Sequence, residues 1–196
     1  MFHYFIIHKP YLVLSQFSAQ AGKQTLADFF NVPKDVYPVG RLDYDSEGLL
    51  LLTNDKTLNH RLLHPQFKHE RTYWVQVDGA ITTTAIAQLT KGVIISIDGK
   101  QHVTQPCTAS VLITPPTIAE RNPPIRYRKN IPTSWIALTL HEGKNRQVRR
   151  MCAAVGFPVL RLIRYSIEQL TIDGLQPGAM QILTKTTVNK ALFKTV

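Results

Sequence analysis

The chain has 196 residues, of which 44% are hydrophobic and 9% aromatic, and its 23 Lys and Arg outweigh 13 Asp and Glu to give a formal charge of +10. That length and apolar content can build one continuous fold or two tightly joined lobes, while scattered Gly and Pro exclude a collagen-like or disordered chain. The longest strictly apolar run, residues 151–155, is too short to cross a bilayer, so no membrane contact is expected.

Taken in chain order, residues 4–9 and 12–15 are predicted as strands and residues 25–30 as a short helix. The bounded apolar run 49–53 suits a buried strand, and residues 56–63 suit a helix stopped by Pro65. A strand over 72–78 precedes a helix over 82–91, capped by Thr82 or Thr83, and strands over 93–97 and 109–113. Five prolines between residues 115 and 132 predict a long loop. A strand over 134–142 follows, then a helix over 145–155 ended by Gly156, and a strand over 159–164. Strands outnumber helices and do not alternate with them strictly, which predicts an α+β fold: a largely antiparallel mixed sheet with flanking helices.

The positive charge is concentrated. Residues 121–164 hold Arg121, Arg126, Arg128, Lys129, Lys144, Arg146, Arg149, Arg150, Arg161 and Arg164, opposed only by Glu142. Guanidinium groups grip phosphate oxygens through paired hydrogen bonds, so this Arg-rich segment predicts a nucleic-acid partner. A solvated surface or an anionic membrane is the competing explanation. Interleaved Pro, Gly and aromatic residues are unlike a Lys-rich membrane helix. The apolar residues 4–7 are cut short by His8, Lys9 and Pro10, unlike a cleaved leader, and a cytoplasmic location is expected. Cys107 and Cys152 stand far apart without a C-x-x-C pairing, giving neither a disulfide framework nor a structural zinc site.

Gly40-Arg41-Leu42-Asp43-Tyr44-Asp45-Ser46-Glu47-Gly48 packs three carboxylates into five residues. A calcium loop fails, because the position that needs a bidentate Glu holds Asn54. Solvated turn acids remain an alternative for Asp45 and Glu47. Arg41 and Asp43 flank Leu42, so in an extended segment they share one side while Leu42 enters the core, which points to a site. His60 and His64, four apart on a predicted helix, lack the Glu of a zinc-protease motif and are expected to face solvent. Cys152 is expected to be a small core residue.

Together with Ser46-Glu47-Gly48-Leu49-Leu50-Leu51-Leu52-Thr53-Asn54-Asp55, this segment resembles the catalytic motif of the pseudouridine synthases that modify ribosomal RNA, of the small-subunit type. The resemblance extends to His8-Lys9-Pro10, to Arg71-Thr72-Tyr73, to Gly143-Lys144-Asn145-Arg146-Gln147-Val148-Arg149-Arg150-Met151 and to Leu160-Arg161-Leu162-Ile163-Arg164. Arg121-Asn122-Pro123-Pro124-Ile125-Arg126 and Ile131-Pro132-Thr133-Ser134-Trp135 are similar to members acting on large-subunit RNA.

The resemblance implies a pseudouridine synthase fold with a central RNA-binding cleft and an isomerase that converts a uridine of large-subunit (23S) ribosomal RNA to pseudouridine. It implies Asp43 as the catalytic carboxylate, either attacking C1′ or abstracting the C2′ proton. Arg149 would be its cationic partner, since a carboxylate in a closed pocket otherwise gains a proton. Tyr73 would stack on the uracil, Leu162 would line the base pocket, and Arg41 would fill the space left by the extracted base. Arg150 and the other basic residues would face phosphate. No external atom is consumed, so no cofactor and no metal are expected, in keeping with the absence of P-loop and dinucleotide fingerprints. The motifs begin almost at Met1, which predicts a single catalytic domain over residues 1–196, without a separate N-terminal RNA-binding domain, acting as a monomer on ribosomal RNA or an assembling ribosomal particle. Two rivals are a non-catalytic ribosome-assembly factor and a glycosidic-bond hydrolase pairing Asp43 with Asp45 or Glu47.

Overall fold

The computed structural model describes residues 1–125 and 128–193, so the expectation placed on Arg126 lies outside the described residues. In chain order come β1 (Tyr4–Lys9), β2 (Val13–Leu14), β3 (Gln24–Thr25), β4 (Tyr37–Pro38), β5 (Glu47–Thr53) and α1 (Lys56–Leu63). Next are β6 (Arg71–Asp78), α2 (Thr83–Lys91), β7 (Ile94–Ile97), β8 (Lys100–Val103), β9 (Thr108–Leu112), β10 (Thr133–Leu140) and α3 (Gln147–Ala154). The chain continues through β11 (Val159–Ile167), β12 (Leu170–Thr171), β13 (Met180–Ile182) and α4 (Lys185–Leu192). It divides into two compact units, Met1–His69 with Ile163–Val196, and Glu70–Leu162. The pairings within each are mostly antiparallel, which makes the fold the expected α+β type.

In the first unit, β5 is the organising strand. It runs antiparallel to β1 from Tyr4↔Thr53 to Lys9↔Gly48, and β13 adds to the far edge of β1. On its other edge β5 meets β11 in parallel, Ile163↔Glu47 and Arg164↔Gly48, and meets β4 near its end, Pro38↔Leu52. All seven β5 residues are buried. That is why Leu49, Leu50, Leu51 and Leu52 show no polar alternation: a strand covered on both faces reads as a continuous apolar run. Leu50 and Leu52 join Phe5, Ile7, Val13, Leu26, Phe30 and Val36 in one core cluster.

Helix α1 starts where Asp55 accepts hydrogen bonds from the amides of Thr57 and Leu58, both at 3.1 Å, and from the Tyr4 hydroxyl at 2.9 Å. It stops at His64, because the Pro65 ring disfavours helical backbone in the residue before it; His64 has ψ 124°. The predicted helix over residues 25–30 is not one. Its place is taken by β3 and a single 3-10 turn, Leu26–Asp28, closed by the Asp28 carboxylate accepting from the Thr25 amide at 2.7 Å. Leu26 and Phe30 are drawn into the core, and Pro33 follows too closely for another turn.

The second unit pairs β6 with β10 over eight residues and β10 with β9, all antiparallel, beside a β7–β8 hairpin. Its core gathers Val75, Val77, Leu89, Ile136, Leu138, Val148, Met151 and Cys152. Thr82 caps α2 by accepting from the Ala85 amide, as its sequence position predicts. Helix α3 starts two residues later than predicted. Arg146 takes a left-handed conformation (φ 51°) and the Gln147 side chain accepts from the Lys144 amide at 2.9 Å, so residues 143–146 form a turn ahead of the helix.

Candidate active site

The turn that carries Asp43 is held by backbone contacts within the first unit. The Ser15 hydroxyl donates to the Leu42 carbonyl at 2.8 Å and accepts from the Leu42 amide at 3.1 Å. Both polar backbone groups of Leu42 are thus satisfied, and its side chain is buried as predicted, between exposed Arg41 and half-buried Asp43. The Asp43 carbonyl accepts from the Ser46 amide at 3.0 Å, closing a tight turn that feeds into β5. A carboxylate on such a turn is presented with little freedom, which suits either nucleophilic attack or proton abstraction.

Behind this turn sits a buried charged group whose members the sequence names only in separate motifs. Lys9, at the end of β1, is 0% exposed; its amine donates to the carbonyls of Val13 at 2.7 Å and Pro10 at 2.9 Å. Burial lowers its pKa from 10.5 to about 7, a shift opposed by Glu47, Asp45 and Asp43 and assisted by Arg164. Even the neutral amine keeps two N–H groups for those two carbonyls. Glu47 is 2% exposed, which overturns the solvated-turn alternative for this acid. Arg164, 4% exposed, donates from Nε to the Leu49 carbonyl at 2.7 Å. A lysine closing a strand, with acids and an arginine in neighbouring motifs, was the available signal for its members. The sequence names Lys9, Glu47 and Arg164 in separate motifs and gives no sign that they meet.

In the second unit, Tyr73 lies on β6, half-buried against the core cluster that also contains Leu162. Arg149 and Arg150 occupy the less buried side of α3, opposite Val148, Met151 and Cys152, and Arg150 donates to the Asn145 side chain at 3.2 Å. Arg128, Lys129, Lys144 and Arg146 are exposed. The proline-rich segment is stitched by its own arginines. Arg121 donates to the carbonyls of Pro123, Pro124 and Leu160, Arg161 donates to the Ala119 carbonyl, and Arg128 is paired with Asp78. Arg161 and Arg164 are buried rather than standing on an open surface, and each donates to a backbone carbonyl, of Ala119 and Leu49 respectively.

Cys152 is wholly buried and its thiol is pushed up to about 12 by burial; Cys107 is pushed to about 11 for the same reason. Both are core residues that stay protonated at neutral pH. His60 and His64 are exposed, as predicted. Among the described residues no group of three or more His, Cys, Asp or Glu is placed to hold a metal ion, and no helix is long and apolar enough to cross a membrane.

The chain is similar to known proteins along most of its length. The chain is 54% identical over 173 residues to a ribosomal large subunit pseudouridine synthase E of Vibrio parahaemolyticus, covering 88% of this chain and 70% of that protein. It is 48% identical over 179 residues to the synthase of the same name from Xanthomonas campestris pv. campestris, covering 90% and 93%. A crystal structure of a pseudouridylate synthase superposes with a TM-score of 0.79 at 27% identity, over 98% of this chain and 74% of the other. The family model for RNA pseudouridylate synthase matches residues 3–154, a span that contains the Asp43 turn, Tyr73 and the Arg149 helix. Sequence, fold and motif placement agree, and the chain belongs to the RNA pseudouridylate synthase family, enzymes that isomerise uridine to pseudouridine in RNA.

Proposed function

We propose that this enzyme converts one uridine of large-subunit (23S) ribosomal RNA to pseudouridine, with Asp43 as the catalytic carboxylate. The observation that carries the substrate is the identity of about half the aligned residues with synthases named for the ribosomal large subunit. The reaction breaks the N1–C1′ bond, turns the uracil and joins C5 to C1′. The C5 proton leaves and N1 takes one up, so the product is an isomer and nothing else is consumed.

The chain's own residues would divide the work as follows. Asp43 acts at the sugar, on C1′ or on the C2′ proton. Arg149 is the cation that keeps the carboxylate ionised, and Tyr73 stacks on the uracil while Leu162 lines the pocket. Arg41, exposed next to Asp43, fills the gap in the RNA stack once the base has left it. Lys9 supports this reading, because Glu47, Asp45 and Asp43 all act electrostatically on its buried amine, which ties the carboxylate-bearing turn to the end of β1. Phosphate contacts fall to Arg126, Arg128, Lys129, Lys144, Arg146 and Arg150, while Arg121 and Arg161 hold the proline-rich segment and Arg164 holds β5 through the Leu49 carbonyl. The two units act as one catalytic domain, working in the cytoplasm as a monomer on ribosomal RNA or its assembling particle.

The test is to incubate the protein and an Asp43→Asn variant with unmodified large-subunit RNA and with precursor particles, then map pseudouridines chemically. One new pseudouridine with the native protein, absent with Asp43→Asn, supports the proposal. Tight binding without modification on either substrate would return the assembly-factor reading.

A further inference from the structure

Helix α1 and the turn after it carry two groups where a surface helix normally has one stripe. Leu58 and Leu62 form the inner stripe and are buried. His60 and Leu63 lie on its outer side, and the chain past its end adds His64 and, from the 3-10 turn Pro65–Phe67, Phe67, so that the four form a second, outward group. Its apolar members are open to solvent, Leu63 at 46% and Phe67 at 38% exposure. The rings are grouped: centroids are 5.2 Å apart for His60 and His64, 6.0 Å for His64 and Phe67, and 6.5 Å for His60 and Phe67. An exposed aromatic cluster of this kind loses apolar hydration only when something covers it.

Two further observations indicate the occupant. The first is charge: residues 56–69 contain Lys56, Arg61 and Lys68 and no acid, although the sequence assigns nearly all the excess charge to residues 121–164. Arg61 lies 3.6 Å above the Phe193 ring, which adds a stacked cation to the same helix. The second is position. A Cβ on Gly40 would stand 3.0 Å from the Leu63 side chain, so Leu63 of the outward group lies against the residue that precedes Arg41. Aromatic rings among cations and beside the catalytic motif are the chemistry that holds an unpaired nucleobase.

We propose that His60, His64 and Phe67 form a stacking platform for an unpaired base of the substrate RNA, close in the strand to the uridine that reacts. The inference rests on the RNA-modifying reading above. An uncommitted base, stacked here, would hold the strand in register while its neighbour leaves the stack.

The experiment measures dissociation constants of the full chain for a twelve-nucleotide single-stranded RNA and for a duplex of the same length, both fluorescently labelled. The variants are Phe67→Ala, His60→Ala and the ring-preserving Phe67→Tyr. Loss of a base-stacking ring typically weakens binding roughly five- to hundredfold, so that loss is expected for the alanine variants on the single strand alone. Phe67→Tyr should bind like the native protein, and unchanged melting temperatures exclude misfolding. Native affinity in the alanine variants, or an equal loss on single strand and duplex, overturns the platform. So does a second copy of the chain as occupant, seen as a concentration-dependent mass that Phe67→Ala abolishes while RNA affinity stays. Pseudouridine formation by the native protein is scored separately, so failure of the catalytic reading is distinguishable from failure of the platform.

Discussion

Gly48 and Arg164 pass so close that a Cβ on Gly48 would stand 2.3 Å from the Arg164 carbonyl oxygen. Gly48 also has φ 110°, a conformation that side chains strain to adopt. Two independent penalties therefore fall on one added methyl, at the register point where β5 and β11 run parallel. Gly48→Ala is expected to destabilise the protein by about 3 kcal/mol or more, the range of combined backbone strain and overpacking. Urea unfolding followed by circular dichroism measures it; a loss of about 0.5 kcal/mol or less, the range of an ordinary surface change, would contradict the clash.

Lys9 should make stability depend on pH in a defined window. The unfolded chain holds the Lys9 proton up to about its ordinary 10.5, whereas the folded chain releases it near 7. Between those values the unfolded state binds more protons, so stability rises with pH; below about 7 both states are charged and the cost of the buried ammonium is felt in full. Above pH 9 the buried thiols pull the other way, since Cys107 and Cys152 ionise far more readily once unfolded. The difference between native protein and Lys9→Met in thermal denaturation should therefore change across pH 7 to 9, with the native protein gaining and the variant flat. Parallel curves would remove Lys9 from the argument.

Asp55→Ala should cost about 2–4 kcal/mol, since it removes a helix cap and leaves the buried Tyr4 hydroxyl without its acceptor. Burial and the Asp55 hydrogen bond hold the Tyr4 phenol up at about 12 in the native protein. Spectrophotometric titration of the variant should show one tyrosine titrating closer to its ordinary value of 10.0.

Asp43→Asn should lower single-turnover pseudouridine formation by roughly 100- to 10,000-fold or more, the range for losing a positioned acid–base or nucleophilic group. Melting temperature should remain close to native, because Asp43 is only half-buried and its turn is held by the backbone of Leu42 and Ser46. Quantification of pseudouridine by chemical mapping reads the result.

Exposed Lys129 and Lys144 should act through phosphate alone. Each alanine substitution is expected to weaken binding of any RNA sequence to a similar degree and to reduce the slope of log affinity against log salt by about 0.7 to 1. An unchanged slope would move these lysines off the interface.

Much of this was legible in the sequence where local chemistry decides. The strand β1 and the helix α1 start and stop at the predicted residues, because Pro10, Asp55 and Pro65 set their ends without help from distant parts of the chain. Leu42 between Arg41 and Asp43 was readable for the same reason, as side chains alternate in an extended segment. Elements that depend on partners were not. The short strands β4, β12 and β13 exist only through pairing, and the turn at 25–28 replaced a helix because Leu26 and Phe30 are claimed by the core. The burial of Glu47 with Lys9 and Arg164 needs three separate strands to meet, which no spacing within one segment encodes.

The direct splice between the Asp43 turn and β5 ties chemistry to cooperativity. Asp43 stands four residues before Glu47, the first residue of a strand buried along its whole length and hydrogen-bonded to neighbours on both edges. Amides in such a strand exchange with solvent only when the surrounding unit opens as a whole. The Asp43 turn is therefore anchored to the slowest-exchanging part of its unit rather than to a fraying loop, and heat inactivation should coincide with the loss of that unit instead of preceding it.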